Sequence, residues 1–515
     1  MYDPLPTPRE IATWDKKSIH EFGLLPEILM ENASREALNY LKTSFGSLKN
    51  KSALVFAGSG NNGGDSFALA RHLANHEVTV MVLHARKKEN YSQTSAYHLS
   101  LLEKMGVTMM YLPDYNLDFL KHVDIIIDGL LGTGFNGTLR PEFKSWIKGI
   151  NKLRSQSFIL SLDIPSGLNG ETGEPSPIAI QAHATVTFEE AKLGLALPPA
   201  NDFVGNLHIG KIGIPKKIKQ DHPSTHFALT AKIMNNISKP PKTMHKGNAG
   251  HVVIIGGSPG LTGAPLLSAL GAIRSGSGLT TIACPKKISS EVKSGWPDIM
   301  ILPMGEEDEW DSKSPEQIEQ AVSRADSVVF GPGLGRSENS RQLLLAYLNN
   351  MHPKTIFDAD ALYFFARDHS LFKYVGGKPD TIFTPHPGEM ARFFSTTSKD
   401  INLDRAGYAQ KFINNFDSKL VLKGAGTIIA APRHPFLISP FAAPNLALGG
   451  AGDILAGMIG SLMAGGYTAL DAASIAVYWH GLTGKNLQNK YPYRGNIAQE
   501  IAHSLPETLT EIKDA

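Results

Sequence analysis

Short apolar runs that stop at loops rich in glycine and polar residues recur along the whole chain. In the first half they span 53–57, 78–83, 107–112, 125–128 and 159–163; in the second, 251–255, 279–283, 328–330, 356–358, 381–384 and 420–423. Runs this short, with almost no polar residue inside them and bounded by turn formers, read as strands buried on both faces. Between them apolar residues return at helical spacing, over 26–40, over 67–75 and from Thr262 to about Ser275. The most apolar helix is predicted over 454–464, where Leu455, Ile459, Leu462 and Met463 fall at helical spacing. Strand and helix in alternation predict an α/β fold with parallel sheets. The pattern lapses over 215–245, where Pro215, Pro223, Pro240 and Pro241 stand among lysines, and then restarts. That lapse predicts a linker between two domains, and 515 residues favours two or more. No period of about 20–50 residues repeats, so a solenoid is set aside.

Composition adds boundaries. With 42% hydrophobic and 19% charged residues the chain can build cores. A net charge of +2 without a long basic run argues against nucleic acid as the main partner. Cys284 is the sole cysteine, which excludes an intramolecular disulfide and a cysteine metal cluster and fits a reducing, cytoplasmic interior. The opening MYDPLPTPREIATWDKK has no apolar signal core. The most apolar helical runs are broken by glycine and fall short of the roughly 20 residues a membrane span needs, so no membrane partner is expected.

The chemistry sits in the loops after the strands. Gly58-Ser59-Gly60-Asn61-Asn62-Gly63-Gly64-Asp65-Ser66 joins a strand to a helix, the arrangement that cradles phosphates. Gly58, Gly60 and Gly63 match a dinucleotide spacing, yet the next strand ends in His84-Ala85-Arg86 with no acidic residue for a ribose. Asn61, Asn62 and Asp65 cluster oxygens in one loop, suited to a hydroxylated ligand or a hard cation, or to a simple Asx turn. Asp128 and Asp163 close two strands, and Ser166 follows the second. In an open parallel sheet such ends gather, so Asn62, Asp128, Asp163 and Ser166 are predicted to converge. Glu31 and Asn32 read either as site residues or as a solvated helix face. In the second half, Leu448-Gly449-Gly450-Ala451-Gly452-Asp453 opens the most apolar helix, whose first N–H groups suit an anion. Asp453 there either takes a proton from a substrate hydroxyl or caps the helix. Lys423 beside Gly424 and Gly426 is either a phosphate contact or a surface charge. His386, between two prolines, is either a site residue or part of a turn. No GKS, GKT, HExxH or GxSxG sequence occurs.

The stretches GNNGGD, DGLLGTGFNG and LDIPSGLN, with LMENA at 29–33, together resemble the NAD(P)H-hydrate epimerase domain over roughly residues 8–218. The resemblance implies an N-terminal Rossmann-like three-layer sandwich, a domain of 1–218 of the YjeF N-terminal type. It implies that Asn62, Asp128 and Ser166 hold potassium. It further implies that Asn61, Asn62, Gly63, Gly64, Asp65, Gly132, Thr133, Gly134, Phe135, Asn136, Gly137, Thr138 and Asp163 contact the hydrated cofactor, with Asp163 doing acid–base work. Ser66 stands where that family usually has glycine.

From about residue 225 onward, KGNAGHVVIIGGS, TGAP, GPGLG, DADAL, TPHPGEM, VLKGAGT and GGAGD follow in order. Together they resemble the ADP-dependent NAD(P)H-hydrate dehydratases, a branch of the ribokinase-like superfamily. The resemblance implies a C-terminal ribokinase-like α/β domain over 225–515, after a linker and entry at 219–245. It implies that Lys423, Gly424, Ala425, Gly426, Thr427 and Gly452 contact ADP, with magnesium. Ala264, Gly335, His386 and Asp453 would contact the hydrate, with Asp453 as the base. Asn445-Leu446-Ala447-Leu448 departs from the usual lead into the glycine loop. The expectation is a homo-oligomeric repair enzyme that epimerises hydrated NADH and NADPH and dehydrates one epimer at the expense of ADP. The alternatives are an ATP-dependent kinase of a small alcohol and a non-catalytic N-terminal binding domain.

Overall fold

The alternation read from the sequence becomes two parallel sheets in the computed structural model, which describes residues 1–114, 123–135 and 137–514. The chain divides into two units: Pro4–His226, and Phe227–Ala515 together with Met1–Asp3. No helix among the described residues is long and apolar enough to cross a membrane.

The chain opens with β1 (Tyr2–Pro4). The first sheet follows: β2 (Ser52–Ala57), β3 (Thr79–His84), β4 (Thr108–Tyr111), β5 (Ile125–Gly129), β6 (Phe158–Leu162), β7 (Ala184–Phe188) and β8 (Asn206–Gly210). Their order is β4-β3-β2-β5-β6-β7-β8, parallel throughout. The chain runs outward from β2 to β4 and then returns to β5 on the other side of β2. That reversal opens a crevice at the carboxyl ends of β2 and β5. Gly58, just past β2, lies so close to the loop after β5 that a Cβ would stand 1.8 Å from the Leu130 carbonyl oxygen. Only glycine allows this closure.

The second unit holds β9 (His226–Leu229), β10 (His251–Ile255), β11 (Leu279–Pro285), β12 (Met300–Met304) and β13 (Ser327–Phe330). It continues with β14 (Thr355–Phe357), β15 (Thr381–Phe383), β16 (Lys419–Leu422), β17 (Ile428–Ala430) and β18 (Phe436–Ile438). The sheet order is β1-β9-β18-β17-β16-β15-β14-β13-β10-β11-β12. Strands β10 to β16 pair in parallel, while β17 and β18 return antiparallel. The chain reverses again, here between β10 and β13. Gly256 repeats the device of Gly58, because a Cβ on it would stand 2.0 Å from the Pro332 carbonyl oxygen.

The stretch 215–245 is more ordered than a linker. It carries the helix Lys216–Asp221, strand β9 and the short helix Ala231–Asn236. Ile218, Leu229, Ile233 and Met234 are buried there, and burial of these few apolar residues outweighs the prolines and lysines around them.

The apolar helix Ala451–Ala464 lies inside the second unit, with Ile454, Met458 and Ile459 fully buried. It crosses the helix Gly263–Arg274 at backbone contact. A Cβ on Gly457 would stand 1.8 Å from Ser268 O, and one on Gly271 would stand 2.2 Å from Ile454 O. The crossing fixes the glycine turn that starts the buried helix. Gly457→Ala must therefore part the two helices, and overpacking of this kind costs about 1–3 kcal/mol. Urea denaturation followed by circular dichroism is expected to show that loss.

Candidate functional sites

The helix after β2 begins at Asn61, not at Phe67, with Gly60 as its N-cap. Asn61, Asn62 and Asp65 thus occupy its first turns and do not form a loop. Gly63 and Gly64 explain the early start. A Cβ on Gly63 would stand 2.0 Å from Gly58 O, and one on Gly64 would press on the Met30 side chain. These two glycines serve packing, while a Cβ on Gly60, Gly134 or Gly137 would meet open space. Ser66 keeps the turn closed, its Oγ donating to Asn62 O at 2.8 Å.

Asn62, Asp128 and Ser166 do converge, around Leu131. Asn62 Nδ2 donates to Leu131 O at 2.9 Å and to Leu162 O at 3.1 Å, leaving its buried Oδ1 without a hydrogen-bond partner. Ser166 Oγ accepts from Leu131 N at 2.8 Å. Asp128, fully buried, accepts from Ser161 Oγ at 2.8 Å and from Ser166 N at 2.9 Å. Burial raises its carboxyl above the usual range, and these bonds oppose the rise. A buried orphan amide oxygen beside a buried carboxyl is a donor set that fits a hard monovalent cation.

A cavity of about 440 Å³ lies next to this knot. Asn61, Asn62, Asp65, Gly132, Thr133, Gly134, Phe135 and Asp163 line it. Gly137 and Thr138 are exposed and stand outside its lining, and Asn136 lies outside the described residues. Asp163 follows β6 with φ +62°, a left-handed backbone that costs a non-glycine residue about 1–3 kcal/mol. Its Oδ1 accepts from the Nζ of Lys192, a fully buried lysine that also donates to Thr187 Oγ1 and Phe188 O at 2.9 Å each. Lys192 and Asp15, both lining the cavity, escape any reading of the sequence by motif. Burial, with Asp163 close by, raises the Asp15 carboxyl to about 6 and lifts Asp65 well above the carboxylate range. Glu31 is no free site residue, since it pairs with Arg71 and with His72 Nε2 at 3.0 Å. Asn32 Nδ2 donates to Ile212 O at 2.8 Å.

The second site gathers at the carboxyl ends of β13 to β16. Lys423 is not a surface charge. Its Nζ donates to the buried Asp358 Oδ1 at 2.7 Å, and a Cβ on Gly452 would stand 3.0 Å from that Nζ. Asp358 also accepts from Thr384 Oγ1 at 2.8 Å. Asp453 does not cap its helix, because Gly450, at φ +93°, is the N-cap and Asp453 lies in the first turn beyond it. Burial first, and then the charge of Asp358, push Asp453 up to about 7 against the pull of Lys423. Glu389 is likewise raised to about 7 by burial, with Lys423 opposing. His386 is a helix N-cap. Its Nδ1 accepts from Gly388 N at 3.0 Å and Glu389 N at 3.3 Å, while Glu389 Oε2 accepts from His386 N at 2.8 Å. Burial and Lys423 lower its imidazole to about 4. Asp360 accepts from Gly335 N at 3.0 Å. Ala264 packs against the Gly331–Gly335 loop, 3.3 Å from where a Cβ of Gly333 would stand. Asp358, Asp360 and Glu389 thus join Lys423, Asp453, His386 and Gly335 at this site. Their signal in the sequence is the DADAL and PGEM stretches, in which these three carboxyls stand.

Beside Lys423 lies an apolar slot of about 310 Å³, lined by Gly424, Ala425, Thr427 and Gly452, with Phe441, Pro444, Leu446 and Val477. Thr427 Oγ1 donates to Gly424 O at 2.7 Å, and Gly426 N to Phe441 O at 2.9 Å. Among the described residues no three His, Cys, Asp or Glu side chains are placed to hold a metal ion.

Residues 252–507 match the family described as NAD(P)H-hydrate dehydratase, and 26–194 match that described as YjeF-related protein N-terminus. The bifunctional NAD(P)H-hydrate repair enzyme of Dictyoglomus turgidum is 33% identical over 99% of this chain and 98% of its own length. That of Moorella thermoacetica is 32% identical over 99% and 97%, and that of Escherichia coli 29% over 98% and 96%. The ADP/ATP-dependent NAD(P)H-hydrate dehydratase from Bacillus subtilis, co-crystallized with ATP/Mg2+, is 25% identical and covers 55% of this chain and 97% of its own, with a TM-score of 0.47.

The Lys192–Asp163 pair yields a test of the first site. Removing one partner of a buried pair strands the other charge, at a cost of about 3–5 kcal/mol. Lys192→Met is expected to lower the stability of the N-terminal unit by that amount in guanidinium unfolding.

Proposed function

We infer the chemistry of the two sites from one premise: this chain belongs to the family of bifunctional NAD(P)H-hydrate repair enzymes. It is an NAD(P)H-hydrate epimerase and dehydratase. Its N-terminal unit interconverts the R and S forms of hydrated NADH and NADPH. Its C-terminal unit returns the S form to NAD(P)H, and ADP becomes AMP and phosphate. A single buried cysteine suits the reducing cytoplasm in which we place it, as a homo-oligomer.

The observation that carries the base assignment is the place of Asp453, in the first turn of a buried helix whose Gly452 would set a Cβ 3.0 Å from Lys423 Nζ, where burial raises its carboxyl. The substrate carries hydroxide, a poor leaving group, at C6. In this reading Asp453 takes the hydroxyl proton as that oxygen attacks the β-phosphorus of ADP, and AMP departs. The C6–O bond of the resulting phosphate ester then breaks with the electron pair on oxygen. Loss of a ring proton restores the double bond, and phosphate is released. The N–H groups of Gly450 to Asp453 point their partial charge at the transferred phosphoryl group. Lys423 and the 424–427 turn hold the phosphates, and Phe441, Pro444, Leu446 and Val477 offer the adenine an apolar slot. Magnesium bound with the nucleotide would neutralise phosphate charge at this site.

In the N-terminal unit, Asn62, Asp128 and Ser166 would hold potassium, and Asp163 would move the proton at the C6 oxygen. The orphan Asn62 Oδ1 is the observation that supports the ion.

Two outcomes check these assignments. Asp453→Asn is expected to lose about 10²–10⁴-fold in dehydration, the usual worth of a general base, while ADP binding persists. In the unsubstituted enzyme kcat/KM for the hydrate falls as pH drops through about 7, because protonated Asp453 cannot accept the hydroxyl proton. Return of reduced-nicotinamide absorbance, with ADP giving AMP and phosphate, is the readout. Asp128→Ala is expected to abolish potassium-stimulated epimer exchange while dehydration of the S form proceeds. Exchange that keeps its potassium dependence in Asp128→Ala would remove Asp128 from the ion site.

A further inference from the structure

Inverting C6 demands proton carriers on both faces of the hydrated ring. On one face an acid gives its proton to the departing hydroxyl, the C6–O pair leaves with the oxygen as water, and the N1 lone pair forms an N1=C6 bond. On the other face a water oxygen donates a pair to C6, the N1=C6 pair returns to nitrogen, and a base takes the water's proton. One water leaves and one enters, with no oxidant or reductant. The acid ends ionised and the base ends protonated, ready for the reverse direction or for reset by solvent. One carboxyl does not serve both faces of a ring held in one orientation.

Four carboxyls line the cavity: Asp15, Asp65, Asp163 and Glu189. Glu189 is engaged elsewhere, paired with Lys219 and accepting from Ile212 N at 3.2 Å. Asp163 is tied to Lys192. Asp65 is buried in the first turns of the Asn61–Asn75 helix. Both belong to the sheet's carboxyl edge. Asp15 arrives from another element, the helix Pro8–His20, which contributes Ile11, Trp14 and Ile19 to the same cavity. That helix is firmly seated. Thr7 and Glu10 form a capping box, and Trp14 Nε1 donates to His222 O at 2.8 Å. Yet among the described residues no hydrogen bond engages the Asp15 side chain. A carboxyl held by a rigid helix and left free in a cavity is placed for a ligand, unlike Asp128, which spends its oxygens on hydrogen bonds.

We propose that Asp15 is the second acid–base carboxyl of the epimerase, working on the ring face that Asp163 does not reach. The inference rests on the epimerase reading of this cavity. Asp15 precedes the matched N-terminal family region, which begins at residue 26. The groups that face it are Asp163, Lys192 and Glu189, with Asp65 acting on it in turn. Burial and these neighbours poise it near pH 6, where both its protonated and ionised forms are present to give and to accept.

The test uses the full chain and pure R hydrate, with epimers resolved by chromatography. Asp15→Asn is expected to slow R-to-S inversion by about 10²–10⁴-fold at nearly unchanged KM, with dehydration of the S form at its usual rate. The limb near pH 6 in the unsubstituted inversion profile should vanish in Asp15→Asn. Asp15→Glu, which keeps a carboxyl, should restore both inversion and the limb. Inversion by Asp15→Asn at the unsubstituted rate overturns the proposal, as does a slowed Asp15→Asn with an unaltered pH profile, or an Asp15→Glu no faster than Asp15→Asn. If the unsubstituted enzyme does not interconvert the epimers, the epimerase reading itself fails, whatever Asp15 does.

Discussion

Each site is organised around one lysine, fully buried in the first unit and partly buried in the second, placed among more carboxyls than it can neutralise. Lys192 binds Asp163 in the first unit, and Lys423 binds Asp358 in the second. In a medium of low effective dielectric an unpaired charge is expensive, and like charges close together raise one another's pKa. Burial and neighbouring charge raise the carboxyls left over: Asp15 and Asp65 in the first site, Asp453 and Glu389 in the second. In the proposed chemistry both reactions use such carriers to move a proton at the hydrate's hydroxyl.

The two sheets share one backbone feature. In each sheet the chain reverses its direction of growth, and the two strands at the reversal are closed by a glycine with no room for a side chain. Gly58 lies against Leu130, and Gly256 against Pro332. The crevice that results is a consequence of strand order. What fills it differs. The first unit offers an orphan amide oxygen and a cavity. The second offers the start of a buried helix, fixed by the glycine crossing with Gly263–Arg274. The two units share architecture while their chemistry is set by separate side chains.

Two departures from the resembled families are absorbed locally. Ser66 returns its hydroxyl to Asn62 O within the same helix. Asn445, in the lead into the glycine loop, donates to Tyr491 O at 3.1 Å and to Asn496 Oδ1 at 3.0 Å, and Asn496 Nδ2 donates back to Asn445 O at 3.0 Å. This reciprocal pair ties the loop down from one side, so a different lead still delivers the turn.

The sequence by itself determined the α/β alternation, the helix over 454–464 and the loops that carry chemistry. Those signals are local: apolar runs, helical spacing and glycine at turns act over a few residues. It also named Asn62, Asp128, Ser166, Lys423 and Asp453, because each stands in or beside a recognisable glycine-bearing stretch. Tertiary structure alone decided that Lys192 is buried and Lys423 turned onto Asp358, that His386 and Gly450 are caps, and that the 215–245 stretch contributes a strand. It alone brought Asp15 to Asp163 and Asp358 to Asp453, across long separations in the chain. Such pairings leave no trace in local spacing. A carboxyl's protonation depends on how much water is removed and which charges remain near it, and both are set only when the sheet closes.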